Sequence, residues 1–352
     1  MSRAPHPLHV HGPRPGPDLQ PPDDVLDAQA PHTHATRDGL DHDDSHARLH
    51  ELAHGTPILE VEAVTFGYQD GAVALRGLSL AIPKGRRVAV LGANGSGKST
   101  LFLTLNGILR PDAGRVLLGG VPVRYDRAGL NDLRRRVGLV FQDPDSQLFA
   151  ASVRQDVSFG PINLGLTGAE VRARVEAALA DTQIEDLADR PTHLLSYGQK
   201  KRVAIAGVLA MDPEVLVADE PTAGLDPEMT LRLLSLLNAL HRSGRTVVLS
   251  THDLELAYAW ADVALVLRRG ELVADGTPAR VFQDEELLRR AGLVQPLVLQ
   301  TFTRLEAAGY FPPGLPAPHS PAELAALVLG QRHAARANDD PVAGVSVFRR
   351  DA

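Results

Sequence analysis

The sequence predicts an α/β layered domain that follows a tail of different composition, and three observations carry that reading. From Pro57 onward, short apolar runs alternate with stretches of helical periodicity. The runs at 137–141, 215–218, 247–250 and 263–267 are apolar almost throughout, as in parallel strands buried on both faces. Residues 1–40, by contrast, are rich in Pro, His, Asp and Gly and hold almost no large apolar side chain. Such a segment cannot bury enough surface to offset its ordering entropy, and disorder is expected over 1–56 apart from one short helix discussed below.

Taken in order, residues 58–64 alternate as a half-buried strand, and apolar runs at 73–75, 78–82 and 87–91 are bounded by turn residues. A glycine-rich stretch, 92–100, then leads into a helical pattern through Leu109. Helical periodicity also marks 169–180, 198–210 and 227–241. The block from about 150 to 212 is mostly helical and interrupts the strand–helix alternation, so it reads as a helical insertion. The core domain is placed at 57–292. Two more helices, 297–308 and 321–329, are separated by a Pro-rich turn and form an extension over 293–335, with a flexible tail from 336 to 352. There is no internal repeat.

Composition narrows the function classes. The chain has 352 residues, 36 Lys plus Arg, 43 Asp plus Glu and a formal charge of −7. That balance argues against a nucleic-acid binder. The absence of cysteine excludes a disulfide scaffold, a thiolate metal site and a Cys nucleophile. No apolar run reaches the ~18–20 residues needed to span a bilayer, and the N-terminus lacks the apolar segment of a signal peptide. A soluble protein is expected, acting at a membrane only through partners.

Gly92 to Ser99 matches G-x-x-x-x-G-K-[ST] between an apolar strand and a helix. The glycines let backbone N–H groups face phosphate oxygens at a helix N-terminus. The candidate cradle is Gly92, Asn94, Gly95, Ser96, Gly97, Lys98, Ser99 and Thr100. Lys98, one of four lysines among 32 arginines, would reach the β- and γ-phosphates of ATP, and Ser99 would hold Mg²⁺. The run 215–218 ends in Asp219-Glu220-Pro221. Adjacent acids ending a buried strand call for a cation or a catalytic task. Asp219 fits the Mg²⁺ side, and Glu220 is placed to orient or deprotonate the attacking water.

Five further features stand in fixed order: Gln142 after 137–141, Leu195-Ser196-Tyr197-Gly198-Gln199 opening a helix, the paired acids, Thr222-Ala223-Gly224-Leu225-Asp226, and Ser250-Thr251-His252-Asp253. Together they resemble the ATP-binding cassette (ABC) family over residues 58 to about 290. The resemblance implies a P-loop NTPase core with an antiparallel β subdomain, a helical subdomain at about 150–212 and a short C-terminal helical extension. By the same resemblance Tyr68 stacks on adenine and Gln142 senses Mg²⁺ and water while linking the site to a transmembrane partner. Ser196, Gly198, Gln199 and Asp226 serve the nucleotide across a dimer interface, and His252 holds the γ-phosphate and water. Tyr197 departs from the usual Leu-Ser-Gly-Gly-Gln, and its side chain is expected to point away from phosphate. Lys200-Lys201-Arg202 reads either as phosphate-steering or as a solvated helix start.

The stretches Phe141-Gln142-Asp143-Pro144-Asp145-Ser146-Gln147-Leu148-Phe149 and Asp156-Val157-Ser158-Phe159-Gly160-Pro161 resemble the energy-coupling-factor (ECF) importers, and 199–207 is similar to their cobalt and nickel members. That implies two ATPases, identical or different, on the cytoplasmic face of the cell membrane. They would drive a transmembrane scaffold subunit joined to a substrate-capturing membrane subunit. Uptake of cobalt or nickel ions is the reading, with vitamin import by the same kind of scaffold as the alternative. A non-transport ABC protein is disfavoured, because Lys98 and Ser196 lie only 98 residues apart and there is one cassette.

Nine of the 14 histidines lie within residues 1–54, and His42, His46, His50 and His54 recur every fourth residue. On a helix each such step turns about 400°, so the rings would share one face. A helix over 42–54 and divalent-metal binding (Ni²⁺, Co²⁺ or Zn²⁺) are the expectation, against a merely His-tinged tail.

Overall fold

The computed structural model describes residues 55–312 and 314–338, the last eight by backbone alone, and all of them fall in one compact unit. The histidine tract, with the helix expected over 42–54, lies outside the described residues.

Two sheets organise the domain. Strands β1 (Pro57–Gly67), β2 (Val73–Pro83), β4 (Ala113–Leu118) and β5 (Val121–Pro122) form an antiparallel sheet in the order β2-β1-β4-β5. The second sheet runs β10-β9-β3-β8-β7-β6. It comprises β3 (Arg87–Leu91), β6 (Val137–Val140), β7 (Val215–Ala218), β8 (Thr246–Ser250), β9 (Val263–Arg268) and β10 (Glu271–Gly276). All neighbours in it are parallel except β10, which closes the edge antiparallel to β9.

Alternate residues of the parallel strands serve two cores. Val88 and Val90 join the antiparallel sheet and helix α1 (Lys98–Leu105), packing with Leu59, Ile82, Leu101 and Phe102. Ala89 and Leu91 face the opposite layer, with Val203, Leu233, Tyr258 and Phe282. Neither face of the strand meets water, which is why these strands are apolar runs rather than alternating ones. Each fully buried Val or Leu contributes about 1.5–3 kcal/mol.

Helix α2 (Arg127–Arg136) flanks β6, and the central block supplies α3 (Val153–Asn163), α4 (Gly168–Asp181) and α5 (Tyr197–Leu209). Thr167 and Ser196 open α4 and α5 with capping boxes closed by Glu170 and Gln199. Then come α6 (Pro227–Arg242), α7 (Leu254–Trp260), α8 (Pro278–Gln283), α9 (Glu285–Ala291), α10 (Leu297–Ala307) and α11 (Pro321–Asn338).

Several elements differ from expectation, two of them for reasons visible in the structure. The runs 73–75 and 78–82 are one strand, because Gly77 takes φ +60° and the pairing register shifts between Val64 and Phe66, a bulge rather than a break. Helix α1 stops at Leu105 instead of Leu109: Asn106 donates from Nδ2 to the Val137 carbonyl at 2.6 Å, and Gly107 follows at φ +70°. The last helix continues to Asn338, beyond the expected 329.

One ion pair ties the start of β3 to the start of β9. Arg87 donates from its backbone N, Nε and Nη2 to Asp262 at 2.9, 3.3 and 2.8 Å, and its guanidinium lies 5.7 Å from the Trp260 ring centroid. Burial pushes the Asp262 carboxyl up, but the Arg87 hydrogen bonds and charge outweigh it, so the net displacement is downward. A lowered carboxylate pKa stabilises the fold above the ordinary carboxylate range, and that contribution is lost as pH falls through the folded value. Asp262→Ala is therefore expected to cost about 1–3 kcal/mol in urea unfolding at pH 7. The gap to wild type should narrow as pH drops below about 4.

Candidate active site

The parallel strands β3, β8, β7 and β6 deliver their following loops to one edge of the sheet, where α/β domains place ligands. Four of the predicted groups sit at that edge: the cradle after β3, Gln142 after β6, Asp219 and Glu220 after β7, and His252 after β8.

The cradle is built on glycines that nothing larger could replace. A Cβ on Gly92, at φ +148°, would lie 2.3 Å from the Leu267 carbonyl oxygen, and one on Gly97, at φ +107°, would lie 2.8 Å from that of Ala74. Gly97 caps α1 in the left-handed region with no side-chain acceptor, and the first turn holds no acid. The helix thus turns uncapped N–H donors and its positive end towards the loop, which suits an anion. The buried Lys98 donates from Nζ to the carbonyls of Gly92 (2.8 Å) and Ala93 (3.3 Å), placing the ammonium beneath the loop. The buried Ser96 hydroxyl has no protein partner, whereas Asn94, Gly95 and Ser99 are exposed. Tyr68 is 42% exposed beside the cradle, its hydroxyl 3.1 Å from Thr100 Oγ1 and its ring edge-on to Phe66. It offers an open aromatic face beside the glycine-rich turn.

The acid pair is held by Ser250 at the end of β8. The Ser250 hydroxyl donates to Asp219 Oδ1 at 2.5 Å and accepts from the Glu220 N–H at 2.8 Å. Glu220 itself stands at φ +44°, a left-handed conformation that a Glu adopts only when its surroundings impose it. Its Oε2 lies 2.8 Å from Nδ1 of the largely exposed His252. Hydroxyl, carboxylate and amide oxygens from Ser99, Asp219 and Gln142 are the hard donors Mg²⁺ takes, a few from protein and the rest from phosphate and water. Among the described residues no group of three or more His, Asp or Glu forms a metal cage.

The residues predicted to act across a dimer interface are engaged within their own helices. The Ser196 hydroxyl accepts from the Gln199 N–H at 3.3 Å, and Gln199 Oε1 accepts from the Ser196 N–H at 2.9 Å. Asp226 caps α6, accepting from the Met229 N–H at 2.8 Å. Both Ser196 and Asp226 remain exposed, and Gly198 is half-buried. The Tyr197 ring lies against Gly224, and its hydroxyl donates to the Gln142 carbonyl at 3.4 Å.

Lys201 corrects the sequence reading. It neither steers phosphate nor lies in water: it is 1% exposed, and its Nζ donates to the carbonyls of Glu220 (2.7 Å) and Ala223 (3.2 Å). Burial pulls its pKa down to about 8 against the opposing pull of Glu220, Asp219 and Asp143. Lys200 instead pairs with Asp145 at 2.5 Å. Three other site-shaping residues had no visible signal as such. Ser250 stood only as the end of a strand. Gln147 ties the segment after β6 to α5, accepting from the Phe141 N–H and donating to the Ala204 carbonyl, while Asp156 accepts from the N–H groups of Phe149 and Ala150.

Known proteins are similar to this chain. The ABC transporter family model matches residues 75–223. The cobalt import ATP-binding protein CbiO of Rhodobacter capsulatus is 55% identical over 275 residues, 78% of this chain and 98% of that protein. The energy-coupling factor transporter ATP-binding protein EcfA of Methanothermobacter thermautotrophicus is 49% identical over 253 residues, 72% of this chain and 81% of that one. Among solved structures, CbiO1 of Clostridium perfringens, described as part of the ABC transporter complex cbiONQ, superposes with a TM-score of 0.61 at 46% identity. The superposition covers 73% of this chain and all of that one. The chain belongs to the ATP-binding cassette transporter family and is an ATP-hydrolysing subunit similar to the cobalt-import and energy-coupling-factor ATP-binding proteins.

Proposed function

We propose that this chain hydrolyses ATP to power import of a divalent transition-metal ion, cobalt or nickel, through a transmembrane scaffold and a substrate-capturing membrane subunit. The observation that carries the reading is likeness to a cobalt import protein across 98% of that protein's length. Among the described residues no helix is long and apolar enough to cross a membrane, so a peripheral place on the cytoplasmic face, docked on membrane partners, fits. The exposed pair Phe149 and Phe159, 4.6 Å apart edge-to-face, gives the central helical block an apolar contact for them.

In the proposed reaction the cradle of Gly92, Asn94, Gly95, Ser96, Gly97, Lys98, Ser99 and Thr100 holds the phosphates, and Tyr68 stacks on the base. Ser99, Gln142 and Asp219 would hold Mg²⁺, which spreads the charge of the phosphate oxygens when bound. Glu220 takes the proton of the attacking water, and His252, within hydrogen-bond reach of that carboxylate, orients it and the γ-phosphate. Ser196, Gly198, Gln199 and Asp226 complete the site on a second ABC ATPase, an identical or a related chain. The histidine tract, His42, His46, His50 and His54, is proposed to buffer or sense the transported ion on the cytoplasmic side.

Glu220→Gln is expected to keep ATP binding and lose about 10²–10⁴-fold in turnover, whereas Lys98→Ala should lose affinity for ATP itself, both read by nucleotide binding and phosphate release. Cells expressing the chain with its membrane partners should accumulate radiolabelled cobalt or nickel, and the Glu220→Gln form should not. Uptake of neither metal by an assembled wild-type complex would move the substrate to a vitamin. Calorimetry on the full chain and on a form lacking residues 1–56 should show Ni²⁺ or Co²⁺ binding only in the former.

A further inference from the structure

The start of α5 holds the acid-bearing turn after β7 at two points within the same chain. Lys201 reaches the carbonyls of Glu220 and Ala223. Tyr197 covers Gly224 so closely that a Cβ there would sit 2.9 Å from its ring, and its hydroxyl reaches the Gln142 carbonyl. The Lys201 ammonium also lies 5.7 Å from the Tyr197 ring centroid. An ammonium removed so fully from water is costly unless it is paired. Here its two closest partners are backbone carbonyls of one turn, and the carboxylates that act on it from a distance are Glu220, Asp219 and Asp143.

What this grip holds is a strained conformation. Glu220 stands at φ +44° and Gly224 at φ +75°, with the Ala223 N–H donating back to the Glu220 carbonyl at 3.1 Å. Ser250 secures only the N–H side of Glu220. The carbonyl side is the one that Lys201 takes. A left-handed glutamate relaxes unless its neighbours over-determine it, and relaxation would swing the carboxylate away from the His252 ring.

We propose that Lys201 is a positioning residue for hydrolysis: its ammonium pins the Glu220 and Ala223 carbonyls and so holds the turn that aims the Glu220 carboxylate. The helix whose first turn carries Ser196 and Gly198 is thereby tied directly to the backbone of the catalytic acid. This rests on Glu220 being the general base.

The test is a double-mutant cycle on the full chain assembled with its membrane partners, combining Lys201→Met with Glu220→Gln and measuring ATP affinity and turnover. Lys201→Met alone is expected to lower turnover at least about tenfold with ATP affinity held within about threefold. In the Glu220→Gln background, where aim no longer matters, the same substitution should change residual turnover less than about twofold. Lys201→Gln, which keeps an N–H donor without the charge, should recover part of the loss, and it carries the same cycle should the Met form not fold. Unchanged turnover in Lys201→Met, or equal losses in both backgrounds, would overturn the proposal and leave the base assignment standing. Wild-type turnover in Glu220→Gln alone would overturn both.

Discussion

Two carboxylates at the end of a strand with no water on either face are the constraint around which this site is arranged. Asp219 and Glu220 are both buried, and each needs partners that the strand cannot supply. Ser250 meets both with one hydroxyl, donating to one residue and accepting from the other, and this joins the loops after β7 and β8. His252, two residues on, reaches the Glu220 carboxylate. Lys201 answers for the carbonyl that the left-handed turn exposes. The positions of three separate elements follow from satisfying one pair of acids.

Much of this was legible in the sequence where function is written in contiguous residues. The cradle, the acid pair and the helix openings are short strings whose spacing carries their chemistry, and the parallel strands betray themselves as apolar runs because both faces are buried. What stayed hidden depends on contacts distant along the chain. Lys201 follows Lys200 and looks equally solvated, yet a turn 19 residues later covers one and not the other. Gly77 looked like a strand boundary because a bulge and a turn use the same residue. Helix α2 escaped because it is polar nearly throughout, with Leu133 its one buried side chain. The early end of α1 depends on Asn106 meeting a carbonyl 31 residues away.

The C-terminal extension is attached to the element that follows His252. The Glu255 carboxylate accepts from the Leu297 N–H at the start of α10. His319 stacks on Tyr258 at 4.9 Å and sits 3.2 Å from its carbonyl. Phe302 and Phe311 stack at 5.3 Å to close the extension on itself. Both of these anchors, Glu255 and Tyr258, lie in α7, so the extension bears on the short helix that follows the His252 loop.

The capping box of α5 has a consequence for the hydroxyl at its head. Because Ser196 Oγ already accepts from the Gln199 N–H, its lone pairs are partly committed to its own helix while its proton is free to point outward. A hydroxyl ordinarily answers donors and acceptors alike; this one is biased to give. Its O–H stays available to an electron-rich oxygen outside the helix, and the helix has set where that oxygen must come from before any ligand arrives.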